Sequence, residues 1–291
     1  MKRELISFLV TSFGLASLLD LIFYLHYQRM SQIEAQVYAI LWGLARMYTP
    51  ALGAVISLLL AGESVKQSMI SYLNLGRKSM KYFFLSPLVV YSAVGFFFLL
   101  AFFLSLVDLD SFLDLIVKSS GGIMTKEFAR TLLILNILSS YPIALTINSL
   151  FALGEEIGWR GYLFRLLGWE FNLRNVLTIG SIWGLWHSTA IALMGHNYPV
   201  LRTSGVPLFM LFCITLSAPM LKLVRESESI LPAVSLHGCL NALWGLTVYS
   251  TKMRGVENEL YGGMGLLGIS SLTISAIVVT ALLRRSSRRA S

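Results

Sequence analysis

The sequence predicts an all-α, polytopic integral membrane protein with about eight transmembrane helices. Three observations point there. Of 291 residues, 56% are hydrophobic and only 13% are charged, about half the roughly 25% charged share typical of soluble domains. Apolar stretches recur at about 20 residues, the length needed to cross a bilayer. Most of the charges lie between these stretches rather than within them.

The spans fall near residues 5–27, 36–61, 83–107, 144–167, 175–195, 205–224, 229–250 and 263–283. The first follows Met1-Lys2-Arg3-Glu4 and lacks a small-residue cleavage site, so it reads as an uncleaved helix rather than a signal peptide. The stretch from Lys126 to Ser140 reads as an amphipathic lead-in lying at the interface, with Pro142 as a break before the fourth span. There is no linker, repeat or second domain. Residues 1–291 read as one transmembrane domain, with a catalytic core over 144–250.

Loop charges set the orientation. Lys2, Arg3, Lys66, Arg77, Lys78, Lys81, Arg174, Lys222, Arg225 and the tail Arg284-Arg285-Ser286-Ser287-Arg288-Arg289 fall on one side. The opposite loops balance Lys118, Lys126 and Arg130 with Asp108, Asp110, Asp114 and Glu127, and Lys252 and Arg254 with Glu257 and Glu259. Lysine and arginine accumulate in cytoplasmic loops. The expected placement is therefore a cell membrane, multi-pass, with both termini cytoplasmic. The net charge of +8 is topological and speaks for membrane lipid, not nucleic acid, as partner.

Three polar strings interrupt the apolar sequence: Glu155-Glu156-Ile157-Gly158-Trp159-Arg160, Trp183-Gly184-Leu185-Trp186-His187 and His237-Gly238-Cys239-Leu240-Asn241. Ionisable groups inside a membrane cost several kcal/mol unless paired or hydrated, so their default reading is a functional site. Glu156 and Arg160, Trp183 and His187, and His237 and Asn241 are each four apart, so each pair shares a helix face. Neighbours on a helix point about 100° apart. Glu156 can therefore pair with Arg160 while Glu155 stays free to act as a general base. By helical rise Glu155 and His187 lie ~18 Å from the inner ends of their spans, as does Asn241, with His237 ~12 Å deep. The three helices can present these groups at one level, in a conical intramembrane cavity open to the cytoplasmic side.

Other residues read as structural. Gly158, Gly161, Gly184 and Gly238 are close-packing positions. Trp159, Trp186 and Trp244 are lipid-facing or packing residues. Asp20 and Arg46 lie at similar depth and are expected to neutralise each other. His26 and His196 sit near span ends, in water. Cys213 and Cys239 form no C-x-x-C motif, and Cys239 lies off the His237–Asn241 face.

At these positions the chain resembles the CPBP family of intramembrane glutamic endopeptidases, which includes type-2 CAAX prenyl endopeptidases and bacteriocin-processing or immunity proteins. Glu155-Glu156-Ile157-Gly158-Trp159-Arg160, Ile182-Trp183-Gly184-Leu185-Trp186-His187 and His237-Gly238-Cys239-Leu240-Asn241 look like that family's EExxxR, FxxxH and HxxxN/B motifs, in order. Trp183 stands where Phe is usual. Ser188-Thr189 follow the histidine where many members have Leu-Pro. The resemblance implies catalytic roles for Glu155, His187, His237 and Asn241. Glu155 and His187 would activate water, and His237 and Asn241 would donate to the oxyanion. Glu156, Arg160 and Trp183 would shape the site. The substrate would be a membrane-associated or lipidated peptide or protein, and no cofactor is expected.

Three rivals stand beside this reading. Zinc could be held by one carboxylate with His187 and His237. A proton-coupled transporter could use the same Glu-His relay, although the inverted repeats or broken-helix pairs of such carriers are missing from the sequence. A non-catalytic immunity or scaffold protein could share the fold.

Overall fold

Eight helices in the computed structural model are long and apolar enough to cross a membrane: Lys2–Tyr27, Ile33–Leu60, Arg77–Phe103, Lys126–Leu145, Leu173–Met194, Arg202–Ser227, Leu231–Tyr249 and Gly255–Leu283. They are numbered here as the first to eighth spans. The structure describes residues 2–27, 29–121 and 123–290, with the side chains of Gln32 and of 284–290 excepted. The tail arginines Arg284, Arg285, Arg288 and Arg289 therefore lie outside the described side chains. Among the described residues there is no strand, only an isolated bridge between Val107 and Thr251. The all-α polytopic membrane class stands.

The fourth span departs from expectation. Lys126–Leu145 is not an interfacial lead-in. The Tyr91 hydroxyl donates to the Ile137 carbonyl at 2.5 Å, and the Tyr141 hydroxyl donates to the Phe84 carbonyl at 2.7 Å. These bonds lay the helix antiparallel to the third span. Pro142 sits inside the helix, and the break comes after Leu145, at Thr146 with φ −122° and ψ −98°. The chain then continues as Ile147–Glu156 and a π-helical turn, Ile157–Leu163.

Both halves run in one direction. Lys126 pairs with Asp110 and Asp114 at 3.1 Å beyond the end of the third span. Arg165 donates to the Ser71 carbonyl at 3.0 Å in the connection between the second and third spans. Residues 126–166 thus make one broken crossing, and eight crossings return the chain to the face it began on. Lys126, Glu127, Arg130, Ser139 and Ser140 dilute the apolar signal of the first half, which is why the sequence suggests an interface there.

The amphipathic helix Leu109–Ser119 precedes this crossing. Asp108 caps it, accepting from the Ser111 N–H at 2.9 Å and from the Ser111 hydroxyl at 2.5 Å. An aspartate here satisfies orphan amide donors of the first turn.

Small residues seat the crossings. Gly158 lies on the Pro50 backbone, Gly161 on the Tyr72 ring, Gly184 on Met210, and Gly238 on the Ala144 carbonyl. None has room for a Cβ, as expected of helices that approach closely in a membrane. Trp159, Trp186 and Trp244 are buried. All three are packing residues, and none faces lipid.

A second polar knot ties the first, second and fifth spans. Arg46 Nε meets Asp20 Oδ1 at 2.8 Å, and Trp42 Nε1 donates to the same oxygen at 3.1 Å. Thr189 donates to Asp20 Oδ2. Arg46 also donates to the Trp186 carbonyl at 2.8 Å, with its guanidinium 3.8 Å from the Trp186 ring centroid. Asp20 and Arg46 do pair. Their burial is compensated by hydrogen bonds to nearly every charged atom.

Candidate active site

The three polar strings meet at the floor of one cavity of about 790 Å³. Glu155, Trp183, His187, His237 and Asn241 all line it. The fourth, fifth and seventh spans supply them, as helical spacing suggests.

Glu156 is buried and links two spans. Its Oε1 accepts from Arg160 NH1 at 3.1 Å and from His237 Nδ1 at 2.8 Å. Arg160 NH2 donates to the Ser217 hydroxyl at 3.1 Å on the sixth span. The Arg160 guanidinium also lies 4.1 Å from the Trp183 ring centroid, a favourable cation–π placement. The π-helical turn begins one residue after Glu156. Such turns insert a residue into a helix and are frequent at functional sites.

Trp183 is more than a packing aromatic. Its indole N–H donates to Glu155 Oε2 at 2.6 Å. Its carbonyl sits 3.0 Å from His187 Nδ1. A carbonyl can only accept, so Nδ1 carries the proton, and in the neutral ring Nε2 keeps its lone pair. No hydrogen bond joins Glu155 directly to His187; Trp183 touches both. His187 is held further by Trp186 at 4.7 Å and Phe209 at 4.6 Å between ring centroids.

His237 is fixed at Nδ1 by Glu156 and stands with its ring centroid 5.4 Å from that of Trp183. Asn241 is exposed to the cavity, one helical turn beyond His237. Sequence spacing supplies the i, i+4 pairs but misses the contacts between spans: Glu156 with His237, Trp183 with Glu155, and Arg160 with Ser217. It also places His196 in water at a span end, whereas this residue lines the cavity with its ring 6.4 Å from His187 and nearly parallel to it. Among the cysteines, Cys213 lines the cavity, while Cys239 is buried off the His237–Asn241 face.

The cavity has a definite mouth. Trp42, Arg46, Phe209, Phe212, Leu240 and Trp244 form its walls, and Gly195, His196, Asn197, Pro199, Val200, Tyr249, Gly255 and Asn258 form its rim. The rim belongs to the connections between the fifth and sixth and between the seventh and eighth spans. Glu259 secures it, accepting from the Val200 and Leu201 N–H groups at 2.8 Å each. On the other side of the floor, Trp159, Arg160, Leu163 and Phe164 are fully buried and close the bundle.

The mouth therefore opens on the face opposite the start of the first span and the end of the eighth. A cytoplasmic mouth and cytoplasmic termini, both expected from sequence, exclude one another in this fold. The sequence gauges the depth of each group but cannot tell at which end of the bundle the aromatic walls part.

Among the described residues no group of three or more His, Cys, Asp or Glu is arranged to hold a metal ion. Glu155 and Glu156 make their closest contacts with Trp183, Arg160 and His237.

Residues 137–243 match the family described as type II CAAX prenyl endopeptidase Rce1-like. That segment resembles an Rce1-like domain. A CAAX-type intramembrane protease is the general class this match supports. The Rce1-like segment begins in the first half of the fourth crossing and contains Glu155, Glu156, Arg160, Trp183, His187, His237 and Asn241. A search of curated proteins found no match.

Proposed function

We propose that this Rce1-like protein is an intramembrane endopeptidase that activates water with Glu155 and His187. The observation that carries the reading is the bond from His187 Nδ1 to the Trp183 carbonyl. It leaves Nε2 as an acceptor in the same cavity as the Glu155 carboxylate.

In this reading a water molecule lies between Glu155 and His187 Nε2. Its oxygen attacks the scissile carbonyl carbon while its proton passes to Glu155. The carbonyl oxygen becomes an oxyanion, which accepts from the Asn241 amide and His237 Nε2–H. The proton held by Glu155 then passes to the leaving amine as the C–N bond breaks. One water is consumed, and a carboxylate and an amine form.

Glu156 has a defined part. A carboxylate facing Nδ1 favours a proton there, and the ring donates from Nε2 when both nitrogens carry hydrogen. With His237 so charged, Arg160 and His237 balance Glu155 and Glu156, as a buried cluster requires. Cytoplasmic termini in a cell membrane follow from the lysines and arginines on that face. The substrate is a membrane-associated or lipidated peptide or protein whose apolar side chains fit the aromatic walls.

The test is cleavage of internally quenched apolar peptides, farnesylated and unmodified, by the purified protein in detergent with and without a strong zinc chelator. Cleavage that survives the chelator supports the glutamate mechanism. Loss with chelator and recovery with zinc would overturn it.

A further inference from the structure

We propose that the cavity receives its substrate from the non-cytoplasmic side of the membrane, as a translocated peptide or the outward-facing end of a membrane protein. The proposal deepens the endopeptidase reading and rests on it for the word substrate. The direction of access rests on separate observations.

The first is the position of the mouth. The rim residues His196, Asn197, Pro199, Val200, Gly255 and Asn258 lie at the ends of the spans remote from both described termini. Fully buried Trp159, Leu163 and Phe164 close the opposite side of the floor. A peptide cannot reach Glu155 from the face of the termini without breaking the core.

The second is the charge on the two faces. The termini face carries Lys66, Arg77, Lys78, Lys81, Arg174 and Arg225 in short connections or at span ends, and none of these has a salt-bridge partner among the described residues. On the mouth face, Lys126 is shared by Asp110 and Asp114, and Arg254 pairs with Asp108 at 3.2 Å; Arg29, Lys118, Arg130, Arg202 and Lys252 also lie on that face, where Asp108, Asp110, Asp114, Glu127, Glu257 and Glu259 offset them. Lysine and arginine within short loops set orientation, because moving them across the bilayer is disfavoured. The termini face is then cytoplasmic and the mouth is not. An aromatic-walled cavity open on that side suits a peptide with bulky apolar side chains and gives no path to a lipid anchor held in the cytoplasmic leaflet.

Cys213 and Cys239 are buried, so single added cysteines can report the side. Glu257→Cys on the mouth face and Gln67→Cys on the termini face both lie at exposed positions. Intact cells expressing the full chain are treated with a membrane-impermeant polyethylene-glycol maleimide, before and after permeabilisation. The expected result is labelling of Glu257→Cys in intact cells and of Gln67→Cys only after permeabilisation. The reverse pattern, or equal labelling of both in intact cells, would overturn the proposal. Adding an impermeant quenched peptide to the same cells separates the two claims. Expected labelling with cleavage absent there and absent from the purified protein would count against the chemistry at Glu155 while the access side stood.

Discussion

Glu156 and His237 are joined across two spans by a 2.8 Å hydrogen bond, and the same carboxylate oxygen holds Arg160 at 3.1 Å. One buried carboxylate thus orients a candidate oxyanion donor while its adjacent neighbour, Glu155, faces the cavity. Two glutamates in sequence take different tasks because a helix turns them apart.

This bond predicts the behaviour of Glu156→Gln. An amide still fills the space but no longer favours the doubly protonated ring. Losing one oxyanion donor costs about 3 kcal/mol of transition-state stabilisation, or 100-fold or more in kcat. Steady-state kinetics should show kcat falling with KM little changed. A variant with unchanged kcat would remove His237 from the mechanism.

Trp183→Phe keeps the aromatic ring against His237 and Arg160 but deletes the indole donor to Glu155. A hydrogen bond to a charged group contributes about 1.5–3 kcal/mol. Activity should fall roughly tenfold to a hundredfold with the detergent melting temperature nearly unchanged. A large loss of melting temperature would mean that Trp183 acts chiefly in packing.

Asp20→Ala strands Arg46 in the core. Removing one partner of a buried pair typically costs about 3–5 kcal/mol. Thermal unfolding in detergent should show both Asp20→Ala and Arg46→Ala strongly destabilised, and the double variant less destabilised than the two losses added. Strict additivity would show that the two charges do not stabilise one another.

Asp108 lies in a connection outside the spans. The Ser111 hydroxyl, then the Ser111 N–H, then Arg254, hold its carboxyl below the usual aspartate range. A carboxylate with a depressed folded pKa stabilises the fold above its unfolded pKa of about 3.9 and loses that contribution as pH falls through the lower folded value. The Asp108→Asn variant should therefore melt below wild type near neutral pH, with the gap closing under acid. A gap independent of pH would assign the loss to helix capping alone.

The class, the number of crossings and the three polar strings are legible in the sequence because length, hydropathy and i, i+4 spacing are local properties. Asp20 and Arg46 could be matched because each is an isolated charge at comparable depth. The Glu156–His237 bond joins residues far apart in the chain, and no periodicity reports it. The fourth crossing is blurred because polar residues mark both of its halves, in the first from Lys126 to Arg130 and in the second from Glu155 to Arg160. The mouth is illegible for a different reason: it depends on how residues 195–200 and 255–259 sit against each other, and both stretches read only as connections.

Whether Glu155 activates water is tested by peptide cleavage with purified wild type and Glu155→Gln, each shown to melt at the same temperature. The glutamine side chain can still accept from Trp183 but cannot take a proton from water. The expected result is a loss of at least about 100-fold in kcat, the lower range for removing a general base. A Glu155→Gln protein that keeps more than about a tenth of wild-type activity, a loss under about 1.4 kcal/mol, would contradict it.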